Sequence, residues 1–84
     1  MSIYKHYKVT YESGAVQQVA FFSKSTLDMG HLEVTSYGPD GYYKAGLSKR
    51  IAMTFNDFET MIQHAKDCHI VEQWSEKLNS LVRV

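Results

Sequence analysis

Two sets of residues in this 84-residue chain have types and spacing suited to chemistry. The first is His64, Cys68 and His69. His64 and Cys68 stand four apart, so a helix would bring both to one face, and a thiol beside an imidazole begins either a zinc site or an activated nucleophile. Both uses lack their remaining parts. Cys68 is the single cysteine, and the other histidines, His6 and His31, lie far off in sequence. A nucleophile also needs a group behind its base to orient it. The expectation is therefore structural: a cysteine packed beside the stripe of Phe58, Ile62 and Ala65, with histidines well placed at a helix C-terminus. The acids are scattered rather than paired for glycosidase-type work, and Gly41 and Gly46 sit in a hairpin rather than between strand and helix. No catalytic residue, metal or cofactor is expected, and the chain reads as a non-enzyme.

The second set consists of rings and cations. All six tyrosines precede residue 44, and residues 1–54 carry six Lys/Arg against four acids, whereas residues 55–84 carry three against five. The net charge of zero thus hides a mildly basic, ring-rich part and a mildly acidic part. On a strand, rings and cations at alternate positions make a platform where unpaired bases stack and phosphates find partners. Tyr4, Lys5, His6 and Lys8 offer this early in the chain. Phe22 and Lys24 follow, then Tyr37, and then Tyr42, Tyr43, Lys44, Lys49 and Arg50. Tyrosine is also a common strand residue, and lysine a common edge residue, so composition leaves a plain structural use open beside the binding one.

The elements that must position these groups follow from periodicity. Ile3 to Tyr11 alternates, with Tyr7, Val9 and Tyr11 on one parity and Tyr4, His6, Lys8 and Thr10 on the other, which predicts a half-buried strand. Glu12-Ser13-Gly14-Ala15 is a turn, and Val16 to Ser23 a second strand in which Phe21 and Phe22 compete for the core. His31 to Tyr37 alternates again. Gly38-Pro39-Asp40-Gly41 closes a hairpin, because proline fixes φ early in a turn and glycine permits positive φ late. A fourth strand is expected from Tyr42 to Met53. Thr54 then caps a helix, with Asp57 three residues on. Val71, Trp74, Leu78 and Leu81 recur at helical spacing and predict a second short helix or an extension of the first. The expected class is α+β: a four-stranded curved antiparallel sheet followed by a C-terminal helix, in the order β-β-β-β-α.

Eighty-four residues make a single domain, 1–84, with a modest core, and no disulfide compensates. Dimerisation is the expected remedy, with Phe58, Ile62, Trp74 and Leu78 at the interface. A lone cysteine fits a reducing interior. No apolar run is long enough for a membrane span, and the N-terminus has no apolar signal core, so an intracellular location is expected.

The run LEVTSYGPDGYYKAGLSKRIAMTFNDFETMIQHAKD, residues 32–67, resembles the heart of the positive cofactor four family, transcriptional coactivators that bind single-stranded DNA. The family pattern is an alternating strand ending in an aromatic, a Pro-acid-Gly turn, a strand with Lys-x-Gly and a basic pair, and a polar cap opening an aromatic-bearing helix. Tyr37, Pro39-Asp40-Gly41, Lys44-Ala45-Gly46, Lys49-Arg50, Thr54 and Phe58 occupy those places. Tyr37 stands where the family often has tryptophan, one extra residue separates Gly46 from the basic pair, and the regulatory tail is absent. The short chain is closer to a phage or bacterial member, and a phage-encoded one would act in the host cytoplasm. The resemblance implies a homodimer that grips unpaired strands without sequence preference and favours melted over duplex DNA. Phe22, Tyr37 and Tyr43 would then meet bases, and Lys5, Lys8, Lys24, Lys44, Lys49 and Arg50 phosphates. Replication, recombination or transcription would be the setting, with proteins of those processes as further partners. The rival expectation is a small protein-interaction module, such as a phage-encoded inhibitor of a host enzyme, using the same rings as contacts.

Overall fold

The computed structural model describes residues 2–38 and 49–84. Along them run β1 (Ile3–Thr10), β2 (Val16–Ser23), β3 (Met29–Tyr37), β4 (Lys49–Thr54), α1 (Phe55–Cys68), β5 (Ile70–Ser75) and β6 (Ser80–Arg83). The strands form one sheet in the order β4-β3-β2-β1-β5-β6, and every neighbouring pair is antiparallel. This corrects the expected four-stranded sheet with a C-terminal helix. The sheet has six strands among the described residues, and the helix lies between β4 and β5.

The correction concerns residues 70–83, which form a hairpin instead of a second helix or an extension. The outer edge of β1 needs a partner for its backbone groups, and β5 supplies it through the pairs Val9↔Val71 and Tyr7↔Gln73. That register seats Val71 in the core at 1% exposure. Asn79 adopts φ 50°, a left-handed conformation that asparagine tolerates better than most residues, and the chain turns there into β6. The helical spacing of Val71, Trp74, Leu78 and Leu81 was a coincidence of position. Trp74 lies on β5 and Leu78 in the connecting turn.

α1 begins where the threonine cap was expected. Thr54 Oγ1 accepts a hydrogen bond from the Asp57 amide at 3.2 Å, and Asp57 adds negative charge to the first turn. The helix carries the chain from Thr54, opposite Met29 at one end of the sheet, to Ile70, opposite Thr10 at the other. It therefore lies across one face only. Tyr7, Val9, Val19, Phe21, Leu32 and Val71 point at it, and Phe58 and Ile62 answer from the helix. Phe21 stacks on Phe58 at 4.5 Å between ring centroids. Gly30 lets β3 approach closely: a Cβ there would run into the Phe22 carbonyl oxygen and lie 2.8 Å from the Phe21 ring.

This core revises the expected dimer contact. Phe58 and Ile62 are 0% and 3% exposed within their own chain, so neither offers surface to a second copy. Trp74 and Leu78, placed on a strand and in a turn, do not continue a helical face with them. No helix of the described residues is long and apolar enough to cross a membrane.

Candidate nucleic-acid interface

Strand alternation and register decide which side chains share the face opposite α1. With Tyr7, Val19 and Leu32 turned to the helix, the opposite parity holds Tyr4, His6 and Lys8 on β1, with Gln18, Ala20 and Phe22 on β2. Beside them stand His31, Glu33, Thr35 and Tyr37 on β3 and Arg50 on β4. The β5–β6 hairpin adds Glu72, Trp74 and Arg83. This face carries no covering element among the described residues.

The rings on it form a row. Tyr4 pairs with Phe22, and Phe22 with His31, on three adjacent strands. Their ring centroids are 4.9 Å and 5.2 Å apart, and His31 lies nearly parallel to Phe22 at 25°. The Arg50 guanidinium donates to His31 Nε2 at 2.9 Å. The same guanidinium nitrogen lies 3.5 Å from His31 Nδ1, so it sits against the ring as a whole and holds a fixed positive charge at the end of the row. Tyr4 remains 55% exposed although it packs on Phe22. A cavity of about 650 Å³ opens beside the row, bounded by Tyr4, Phe22, His31, Lys24 and Met29. Trp74, 39% exposed, stands one residue past the Gln73–Tyr7 pair and shares a second cavity with Tyr4 and His6.

The next row along the sheet is His6, Ala20, Glu33 and Arg50. Ala20, with one methyl between larger neighbours, leaves a depression of about 140 Å³ walled by His6, Gln18, Glu33, Thr35 and Tyr37. His6 Nε2 and the Gln18 side-chain oxygen, 3.0 Å apart, brace its rim. Tyr37 lies at the far end of the face opposite Val16, six residues from His31, or roughly 20 Å along a strand. In charge the face is close to balanced. Lys8, Arg50 and Arg83 oppose Glu33 and Glu72, and Glu72 sits between Lys8 and Arg83 in register.

The sequence-based residues divide as follows. Lys8, Phe22, Tyr37 and Arg50 share the open face, and Lys24 stands at its end beside the ring-row cavity. Lys5 is opposite Phe21, and Lys49 opposite Val34, so both have the parity of the helix side. The Lys49-Arg50 doublet is thus split, as adjacent residues on a strand must be. Tyr43 and Lys44 lie outside the described residues. His31 and Trp74 were missed as members of the face. Parity within β3 was enough to put His31 beside Glu33 and Thr35, but Trp74 required knowing that its segment is a strand.

The His64–Cys68 pair does form, with Sγ 4.0 Å from Nε2, but Cys68 is exposed rather than packed as expected. It sits in the last turn of α1, off the stripe of Phe58 and Ile62 that faces the sheet. His69 caps the helix and meets the Tyr11 ring edge-on at 4.4 Å. Among the described residues no three His, Cys, Asp or Glu side chains gather as a metal site would require. No protein-family model, curated protein or solved structure matches the chain.

Proposed function

We propose that the protein binds single-stranded DNA on the sheet face that α1 leaves open. The observation that carries this reading is the Tyr4–Phe22–His31 row with the Arg50 guanidinium at its end. Cross-strand ring pairs stabilise a sheet by themselves, yet that role does not require Tyr4 to keep half its surface in water. Phe22 and His31 stack on each other, so the row offers an unstacked base its exposed end at Tyr4, and the fixed cation at the other end suits a phosphate of the same strand. The resemblance of residues 32–67 to single-stranded DNA-binding coactivators supports the same reading. Replication, recombination and transcription all expose unpaired strands and are the settings it fits.

A protein-interaction module is the second reading, and a different surface favours it. A groove of about 370 Å³ runs between α1 and the β3–β4 edge, lined by Val34, Ile51, Met53, Met61 and Ala65, with Ile51 43% exposed. An extended apolar segment adding to the edge of β4 would fill it.

Fluorescence anisotropy with a labelled oligo-dT and its duplex, at low salt, tests the first reading. Tighter binding to the single strand, lost in Phe22→Ala with Arg50→Glu while the fold persists, is expected. Equal binding to both forms, or retention in the double variant, defeats it. Loss of partner capture in Ile51→Asp, with oligonucleotide binding absent throughout, would favour the second.

A further inference from the structure

Glu33 is out of place on a surface that meets phosphates. It stands at the centre of the open face, directly between Ala20 and Arg50 in register. Its nearest cation by register is engaged elsewhere, since the Arg50 guanidinium is turned to His31 at 2.9 Å. Among the described residues neither a hydrogen bond nor an ion pair holds the Glu33 carboxylate. It instead forms one wall of the depression over Ala20. At about 140 Å³ this hollow is well below the roughly 300 Å³ at which small-molecule pockets begin. It has room for one planar ring system.

We propose that this hollow seats one base of the bound strand and that Glu33 selects guanine there. The inference rests on the single-strand reading above and deepens it. A carboxylate is an acceptor-only group with two oxygens side by side. Guanine alone among the bases presents two adjacent donors, the ring N1–H and the exocyclic N2–H, on its Watson–Crick edge. That edge is free in a single strand and is the one such proteins read. Adenine and cytosine offer one amino group beside an acceptor nitrogen. Thymine offers one N–H between two carbonyl oxygens that the carboxylate repels. The small side chain of Ala20 lets the base lie low enough for an in-plane approach, and His6 and Tyr37 supply rings at the hollow's sides. The negative charge is then covered by a base and kept from the phosphates, which explains its tolerance on this face.

Anisotropy titrations of the intact chain with dT9 and with dT9 bearing one central guanine, adenine or inosine test the proposal. A bidentate contact is expected to tighten binding of the guanine strand by about tenfold over the adenine strand. Adenine controls for the stronger stacking of any purine. Inosine keeps N1–H but lacks the N2 amine, so it should fall well short of guanine. Glu33→Gln should abolish the guanine preference while leaving dT9 affinity equal or higher, because a repulsive charge is gone. Ala20→Leu, which fills the hollow, should abolish it too. Equal binding of guanine and adenine strands by the unaltered protein, or a preference that survives Glu33→Gln, overturns the inference and leaves the single-strand reading intact. Failure of every single strand to bind overturns the reading beneath it.

Discussion

At the scale of single residues, the two phenylalanines at 21 and 22 divide the labour of the molecule. Phe21 is fully buried and stacks on Phe58, and Phe22, one position on, is turned to the other face between Tyr4 and His31. Removing each ring should therefore have a different signature. Phe21→Ala is expected to cost about 3–5 kcal/mol of stability through lost burial and the cavity left behind, measured by urea unfolding. Phe22→Ala should weaken single-strand binding by about 1–3 kcal/mol, the usual worth of one stacked base, with a smaller change in stability. A large stability loss in Phe22→Ala with unchanged binding would make its ring a structural prop. Tyr7 supplies a test by pH. Burial, and then the nearby Glu59 carboxylate, raise its phenol above the ordinary value of 10.0. Above pH 10 the unfolded chain therefore sheds this proton while the folded chain keeps it, so stability declines as pH rises from there until the folded phenol also ionises. Below pH 10 the group contributes no slope. Tyr7→Phe should flatten this part of the alkaline decline in denaturant titrations at pH 8 and pH 11.

At the scale of elements, what the sequence declares depends on whether a local rule has a rival. Thr54 had none: a hydroxyl ahead of Phe55, with an acid three residues on, is a cap in sequence and in structure. Thr54→Ala should cost about 1 kcal/mol, read as a shift in the urea midpoint with an unchanged slope. Alternation likewise placed β1, where Tyr7 and Val9 are buried and Tyr4 is exposed. Residues 70–83 obeyed two rules at once. Their apolar positions fit a helical stripe, but Ile70-Val71 is β-branched and Asn79 can take positive φ. The choice between helix and hairpin was made by the bare edge of β1, a tertiary demand that no local window contains. For the same reason the parity of Lys49 and Arg50 stayed hidden until the pairs Val34↔Lys49 and Glu33↔Arg50 were known. The rings of the open face were legible in outline, from Phe22, Tyr37 and Tyr4, whereas Tyr7 and Tyr11 turned to the helix side. Its membership was legible only in part: parity within β3 already sets His31 and Glu33 beside Tyr37, but Trp74 joins the face only through the pairing of β5 with β1.

At the scale of the whole molecule, a net charge of zero constrains how the open face could hold a polyanion. Long-range attraction is weak, and Glu33 and Glu72 offset much of what Lys8, Arg50 and Arg83 supply on the face itself. Single-strand binding must then draw chiefly on the Tyr4–Phe22–His31 row, with phosphate contacts confined to Lys8, Arg50 and Arg83 on the face and Lys24 at the end of the ring row. Each phosphate neutralised on a single strand contributes about −0.7 to the slope of log K against log salt, so these four cations predict a slope of about −3. A duplex presents the same phosphates but keeps its bases stacked and paired, and so forfeits the ring contribution. Its affinity should be lower at every salt concentration, and the gap should persist at high salt, where stacking is unscreened. Anisotropy titrations from low to high sodium chloride measure both quantities. A slope steeper than about −4 would require more cations than this face carries and would move the contact to a surface including Lys5 and Lys49. A single-strand preference that vanishes as salt rises would show that charge, and not the ring row, distinguishes the two forms.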